Sequence, residues 1–95
     1  MDSIDVTQAW HECLVRWPDD MPRRGVLVTN FGEQIVFNNF LLTERMILVE
    51  RHAPDTMGAR QVMLPLAHVL GLKITDVVRA KCFTELGFIG KTPSR

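Results

Sequence analysis

The sequence predicts a small, mainly β domain: a closed or nearly closed barrel of five short strands, with a helix before it and a shorter helix after it. Three observations carry this. Residues 25 to 74 hold five β-type runs in series, Gly25–Phe31, Glu33–Leu42, Met46–His52, Arg60–Leu64 and Val69–Ile74. Their connections are short, and only the third is long enough for a real loop. The run Met46-Ile47-Leu48-Val49 is apolar on both strand faces, where a sheet with one wet face would alternate. Closure is the simplest arrangement for so many short strands, because it removes exposed sheet edges. The 95 residues make one domain, 1–95, divided into a helix over 5–17, a barrel over 24–75 and a C-terminal helix over 76–87.

Each element has its own signals. Asp5 can cap the first helix, and Gln8 three residues on completes a capping-box pattern. Val6, Ala9, Trp10, Cys13, Leu14 and Trp17 follow at helical spacing as one apolar stripe. Pro18 ends the helix. Asp19, Asp20, Pro22, Arg23 and Arg24 link it to the first strand, where Val26 and Val28 alternate with Leu27 and Thr29. Asn30-Phe31-Gly32-Glu33 reads as a tight turn. Thr43-Glu44-Arg45 breaks the second strand from the third, and Pro54, Asp55 and Gly58 mark the long loop. Pro65 stops the fourth strand, leaving a short turn through His68. Asp76 can cap the last helix, with Val78, Cys82 and Leu86 on one face. Gly87 stands where a helix-terminating glycine belongs, and Phe88 can fold back onto the helix. Lys91 to Arg95 reads as a frayed tail.

Composition narrows the class. The chain is 46% hydrophobic and 23% charged, as an ordinary globular domain is. Eleven basic side chains balance eleven acidic ones, which argues against a dedicated nucleic-acid binder while leaving room for a local basic patch. Cys13 and Cys82 lack the spacing of a zinc or redox motif and read as reduced, packed thiols. No run is long and apolar enough to span a bilayer, and Asp2 and Asp5 stand where a signal peptide would be basic. These features predict a cytoplasmic protein with no membrane association.

Chemistry-bearing patterns are sparse. No Gly-rich phosphate loop, nucleophile elbow or paired-carboxylate motif is present, so no enzyme activity, cofactor or metal is expected. His11, His52 and His68 share no triad order or metal-ligand spacing, and the economical reading of each is a surface or hydrogen-bonded histidine. His68 stays a candidate for its place in the turn between the last two strands. Arg23 and Arg24 can meet phosphate, although Asp19 and Asp20 are at hand to compensate them. Arg51 and Arg60 flank the long loop and can gather on one rim, where an anionic partner would be drawn. Trp10 and Trp17, two turns apart, read as core anchors over the open end of the barrel. Glu50 and Asp55 sit in no catalytic motif and read as solvated carboxylates.

A helix followed by five short strands, with the fourth and fifth joined by a very short turn, resembles the Sm-like (LSm) fold, an SH3-like small barrel. Gly32 opens the second strand at the place of the first glycine of the Sm1 motif. From there to Glu50 the hydrophobic frame is similar, without gaps, to that of the bacterial Sm-like RNA chaperone, with Ile35 and Met46 to Val49 at the expected apolar positions. Leu64 to Leu72 resembles the short connection between the last strands, and the resemblance covers residues 5 to 75. The departures fall on the RNA site. Phe37 replaces the second Sm1 glycine, Thr43 the family aspartate and Ile47 the base-contacting asparagine. Leu64-Pro65-Leu66-Ala67 stands where the family has Arg-Gly, or a basic residue and histidine in the bacterial chaperone. Apolar side chains thus replace those that would stack on and hydrogen-bond a base. The resemblance implies a homo-oligomeric ring of about five to seven copies, formed by pairing the fourth strand of one copy with the fifth of the next. Val62, Leu64, Val69, Leu70 and Leu72 would then lie at the subunit interface. The expected function is a non-enzymatic scaffold or binding platform. The alternative is binding of RNA, or of another protein, on a non-standard basic rim drawn from Arg51, Arg60, His68, Arg23 and Arg24.

Overall fold

The computed structural model describes residues 3–90. Helix α1 spans Ser3–Val15 and is followed by strands β1 (Gly25–Thr29), β2 (Gln34–Leu42), β3 (Met46–Arg51), β4 (Gln61–Pro65) and β5 (Val69–Lys73), then by the short helix α2 (Ala80–Glu85). A single 3-10 turn, Leu66–His68, joins β4 to β5. All five expected strands are present, each within two residues of its expected bounds. They form one antiparallel sheet in the order β4-β3-β2-β1-β5. The sheet is open, with β4 and β5 as its edges and no ladder between them, so it does not show the expected barrel closure.

The period-two pattern decides which face is buried. Leu27, Ile35, Phe37, Phe40, Ile47, Val49 and Leu64 point inward and join Leu66 and Val69 in the core. Phe37 and Phe40 are three apart yet both point inward. The register between β2 and β3 shifts between Phe37 and Asn39, and this bulge turns the strand so that both rings reach the same interior. The rings of Phe37 and Phe40 meet edge to face at 6.2 Å, and Trp17 meets Phe40 the same way at 5.2 Å.

The helices cover the interior from the β5 side. Leu14, Trp17, Cys82 and Leu86 complete the buried cluster. Trp10 donates its indole N–H to the Val69 carbonyl at 2.9 Å, tying α1 to β5. The expected apolar stripe is only partly used, since Ala9 is exposed while Leu14 and Trp17 are buried.

Four local expectations are corrected. Helix α1 begins at Ser3, so Asp5 lies inside its first turn rather than ahead of it, and it stops at Val15, so Trp17 packs from the connection beyond. Helix α2 occupies 80–85 rather than 76–87, and its N-cap residue is Arg79, which makes no side-chain capping bond. Asp76 is taken instead by Arg24, whose Nε and Nη2 donate to its two carboxylate oxygens at 2.9 and 2.8 Å. A bidentate pair holds a carboxylate better than a lone helix N–H does. Asp19 and Asp20 therefore do not compensate Arg23 and Arg24, and Asp20 sits 3.7 Å from Lys81. The end of α2 follows expectation. The Gly87 N–H bonds the Thr84 carbonyl and the Phe88 N–H bonds the Phe83 carbonyl, both at 3.0 Å, with Gly87 at φ +107°. That is a Schellman closure, which needs a residue free to take positive φ. The tail from Lys91 to Arg95 lies outside the described residues.

Candidate functional site

Two apolar surfaces and one basic rim remain once the core is filled. The first surface is a cleft of about 390 Å³ between α1, β5 and α2, lined among others by Trp10, Cys13, Trp17, Leu72, Phe83 and Phe88. It forms because α2 is short and starts late, so it reaches only part of the stripe that α1 presents. Both indole N–H groups are spent elsewhere. Trp10 bonds Val69, and Trp17 donates to the Met21 and Pro22 carbonyls at 3.2 and 3.3 Å. The rings therefore show carbon to the cleft. At the rim stands Arg16, which reaches the end of α2: a Cβ placed on Gly87 would lie 2.9 Å from its Nη1. Burial pushes the Cys13 thiol above its ordinary range, and the Arg16 charge opposes that shift.

The second surface is the outer face of β2, β3 and β4. Leu41 pairs with Leu48 and Leu48 with Met63, so three apolar side chains cross the sheet in one row. Leu41 and Met63 are 53% and 71% exposed, and Val36 and Met46 are exposed on the same half of the sheet. The doubly apolar run in β3 thus has one face in the core and one facing outward. Helix α1 does not cover the outward face.

The five candidate contact residues do not gather into one site. Arg51 and Arg60 are together, the N–H of one bonding the carbonyl of the other at 2.8 Å. Arg51 Nε also donates to the Ala53 carbonyl, while Arg60 makes no side-chain hydrogen bond or ion pair among the described residues. His68 stands instead against the β1–β2 turn, where its carbonyl accepts from the Asn30 N–H and its ring meets Phe31. Arg23 is absorbed by the fold: its guanidinium lies 3.8 Å above the Phe40 ring, and it donates to the Phe40 carbonyl and to Asn39. Arg24 is held by Asp76. Of the interface candidates, Leu70 is exposed, Val62 and Leu72 are half-buried, and Leu64 and Val69 belong to the core.

Two features escape sequence reasoning. Phe31, at the β1–β2 turn, is 72% exposed and meets the His68 ring edge to face at 5.8 Å. The Asn30 N–H bonds the His68 carbonyl at 2.9 Å and fixes the turn beside it. An aromatic residue inside a tight turn was the available signal, because no strand face can bury it. Arg16 is the other, and its signal was a cation one turn beyond Cys13 on an apolar stripe.

Several other titratable groups serve structure. The Asp55 carboxylate accepts from the N–H groups of Ala59 and Met57 at 2.9 and 2.8 Å, which closes the long loop and holds its pKa below the ordinary value. Glu50 accepts from Asn39 Nδ2 at 2.7 Å. Asp20, Cys82 and Glu85 bring their ligand atoms within 4.8 Å of one another. Burial first, then Asp20 and Glu85, push the Cys82 thiol up, so it stays a protonated packing group. No helix among the described residues is long and apolar enough to cross a membrane.

Comparison of the chain with protein-family models, with curated proteins and with solved structures gives no match in any of the three.

Proposed function

We propose that the chain is a ring-forming, Sm-like module: a homo-oligomeric scaffold or binding platform rather than an enzyme, working in the cytoplasm. The observation that carries this reading is the pair of free edges. β4 and β5 end the strand order on opposite sides, each with one side unpaired by any ladder, and a three-residue 3-10 turn joins them. The bulge in β2 favours curling of such a sheet toward a small barrel. Pairing β4 of one copy with β5 of the next satisfies both edges at once and leaves none to aggregate. It also gives cover to Leu70, which is 66% exposed on β5. Light scattering on the purified chain tests the reading. A ring gives a single species at a multiple of 10.9 kDa, and Leu70→Lys on the β5 edge shifts it toward monomer with an unchanged circular dichroism spectrum. A monomer at high micromolar concentration discards the reading.

One observation favours a second reading, single-stranded RNA as the ligand. The exposed Phe31 ring beside His68 is a flat surface on which a base can stack. Fluorescence anisotropy of a labelled uridine- or adenine-rich oligonucleotide decides it. RNA binding gives a rise that weakens with salt and is lost in Phe31→Ala. A flat titration leaves the scaffold.

A further inference from the structure

We propose that the cleft between α1, β5 and α2 binds a long-chain carboxylic acid, its apolar chain lying against Trp10 and Trp17 and its carboxylate held by Arg16. The volume, about 390 Å³, is that of a small-molecule site and exceeds the hollow of about 250 Å³ on the outer sheet face. The lining offers a ligand almost nothing to hydrogen-bond. Both indole N–H groups are committed to backbone carbonyls, and the Cys13 thiol is kept neutral by burial. A polar ligand would leave its own groups unsatisfied there, whereas an alkyl chain loses nothing.

The rim supplies the opposite chemistry at one point. Arg16 lies one helical turn from Cys13 and against Gly87, next to Phe88 at the mouth. Its side chain makes no hydrogen bond or ion pair among the described residues. Of the acids within four residues, Glu12 accepts from Gln8 at 3.0 Å and Asp20 faces Lys81. A free guanidinium at the edge of an apolar trough matches a ligand with one anionic end, and its planar fork suits a carboxylate. Phe88, held over the end of α2 by the Schellman closure, flanks the chain. The site uses the face of β5 and ring assembly its edge, with Leu72 adjoining both.

The chain contains two tryptophans and both line the cleft, so their emission reads occupancy directly. Dodecanoate below its micellar concentration is expected to blue-shift the emission saturably, with one equivalent bound per chain by calorimetry. Arg16→Gln, an exposed change that leaves the fold intact by circular dichroism, should weaken binding about tenfold, the worth of one charge-assisted contact. Dodecylammonium should bind more weakly by at least the same factor. The proposal fails if dodecanoate gives no saturable shift, or if Arg16→Gln and dodecylammonium bind as well as the wild-type pair. It fails equally if the emission shifts with protein concentration alone, since a second copy would then fill the cleft. Light scattering on the same samples reads the ring separately.

Discussion

Phe40 and Leu41 are neighbours in β2 and lie on opposite faces of the sheet. Phe40 is 1% exposed, touched by Trp17, Phe37 and the Arg23 guanidinium, while Leu41 is 53% exposed in a row with Leu48 and Met63. Both faces carry large apolar side chains, and they differ in what covers them. Inside, apolar area removed from water holds the domain together. Outside, the same kind of side chain is left largely in water and adds little to folding. Apolar side chains therefore hold the fold together on one side of this sheet and stand exposed on the other.

The largest expected effect is on the inner face. Phe40→Ala should cost about 3–5 kcal/mol in urea unfolding, because it leaves a cavity among packed rings and strips Arg23 of its platform. Leu41→Ser should stay within about 0.5 kcal/mol. Equal costs at the two positions would break the comparison. Gly25→Ala comes next, at about 1–3 kcal/mol. A Cβ at Gly25 collides with the Lys73 carbonyl oxygen, at the point where β1 and β5 draw close. An unchanged unfolding midpoint would mean that this end of the sheet relaxes freely.

The outer face is tested by association. Leu41→Lys with Met63→Lys should leave the unfolding midpoint near that of the wild type while lowering the mass seen by light scattering or removing concentration-dependent self-association. A double variant as associated as the wild type would show that this row contributes no contact.

The smallest effect concerns charges that lie on neither face. Hydrogen bonding to Arg24 holds the Asp76 carboxyl below its ordinary value of 3.8. A depressed folded pKa gives stability that is present above the ordinary value and lost as pH falls through the folded one. The urea midpoint should therefore drop below about pH 4, and Asp76→Asn should reduce that drop. Asp55, held low by the Ala59 and Met57 N–H groups, supplies the slope that remains. Identical pH profiles for wild type and variant would remove Asp76 from the account.

Much of the fold was legible in the residues. Period-two runs mark the strands because one face must be apolar, and Gly87-Phe88 marks the end of α2 because few other residues accept the required φ. The errors share one physical cause. Asp76 has a local use as a helix cap, but Arg24, far away in sequence, offers two hydrogen bonds and a charge. Arg23 has local acids beside it, but the Phe40 ring and carbonyl hold it. Local rules rank local partners and cannot see a better one across the sheet. The candidate sites were less legible. Arg51 and Arg60 were expected together and are together, whereas His68, expected on the same rim, packs against Phe31 at the β1–β2 turn. Arg16 and Phe31 were passed over, since neither carries meaning until α2 and the β5 turn come to rest beside them.

The sequence by itself determined the mainly β class and the five strands, because hydrophobic period and turn chemistry are local properties of the chain. The tertiary structure alone decided the strand order with two open edges, the outward placing of Leu41, Leu48 and Met63, and the cleft with Arg16 at its rim. Those features depend on which elements meet. That is settled by packing and by competition among distant partners, and no window of neighbouring residues contains it.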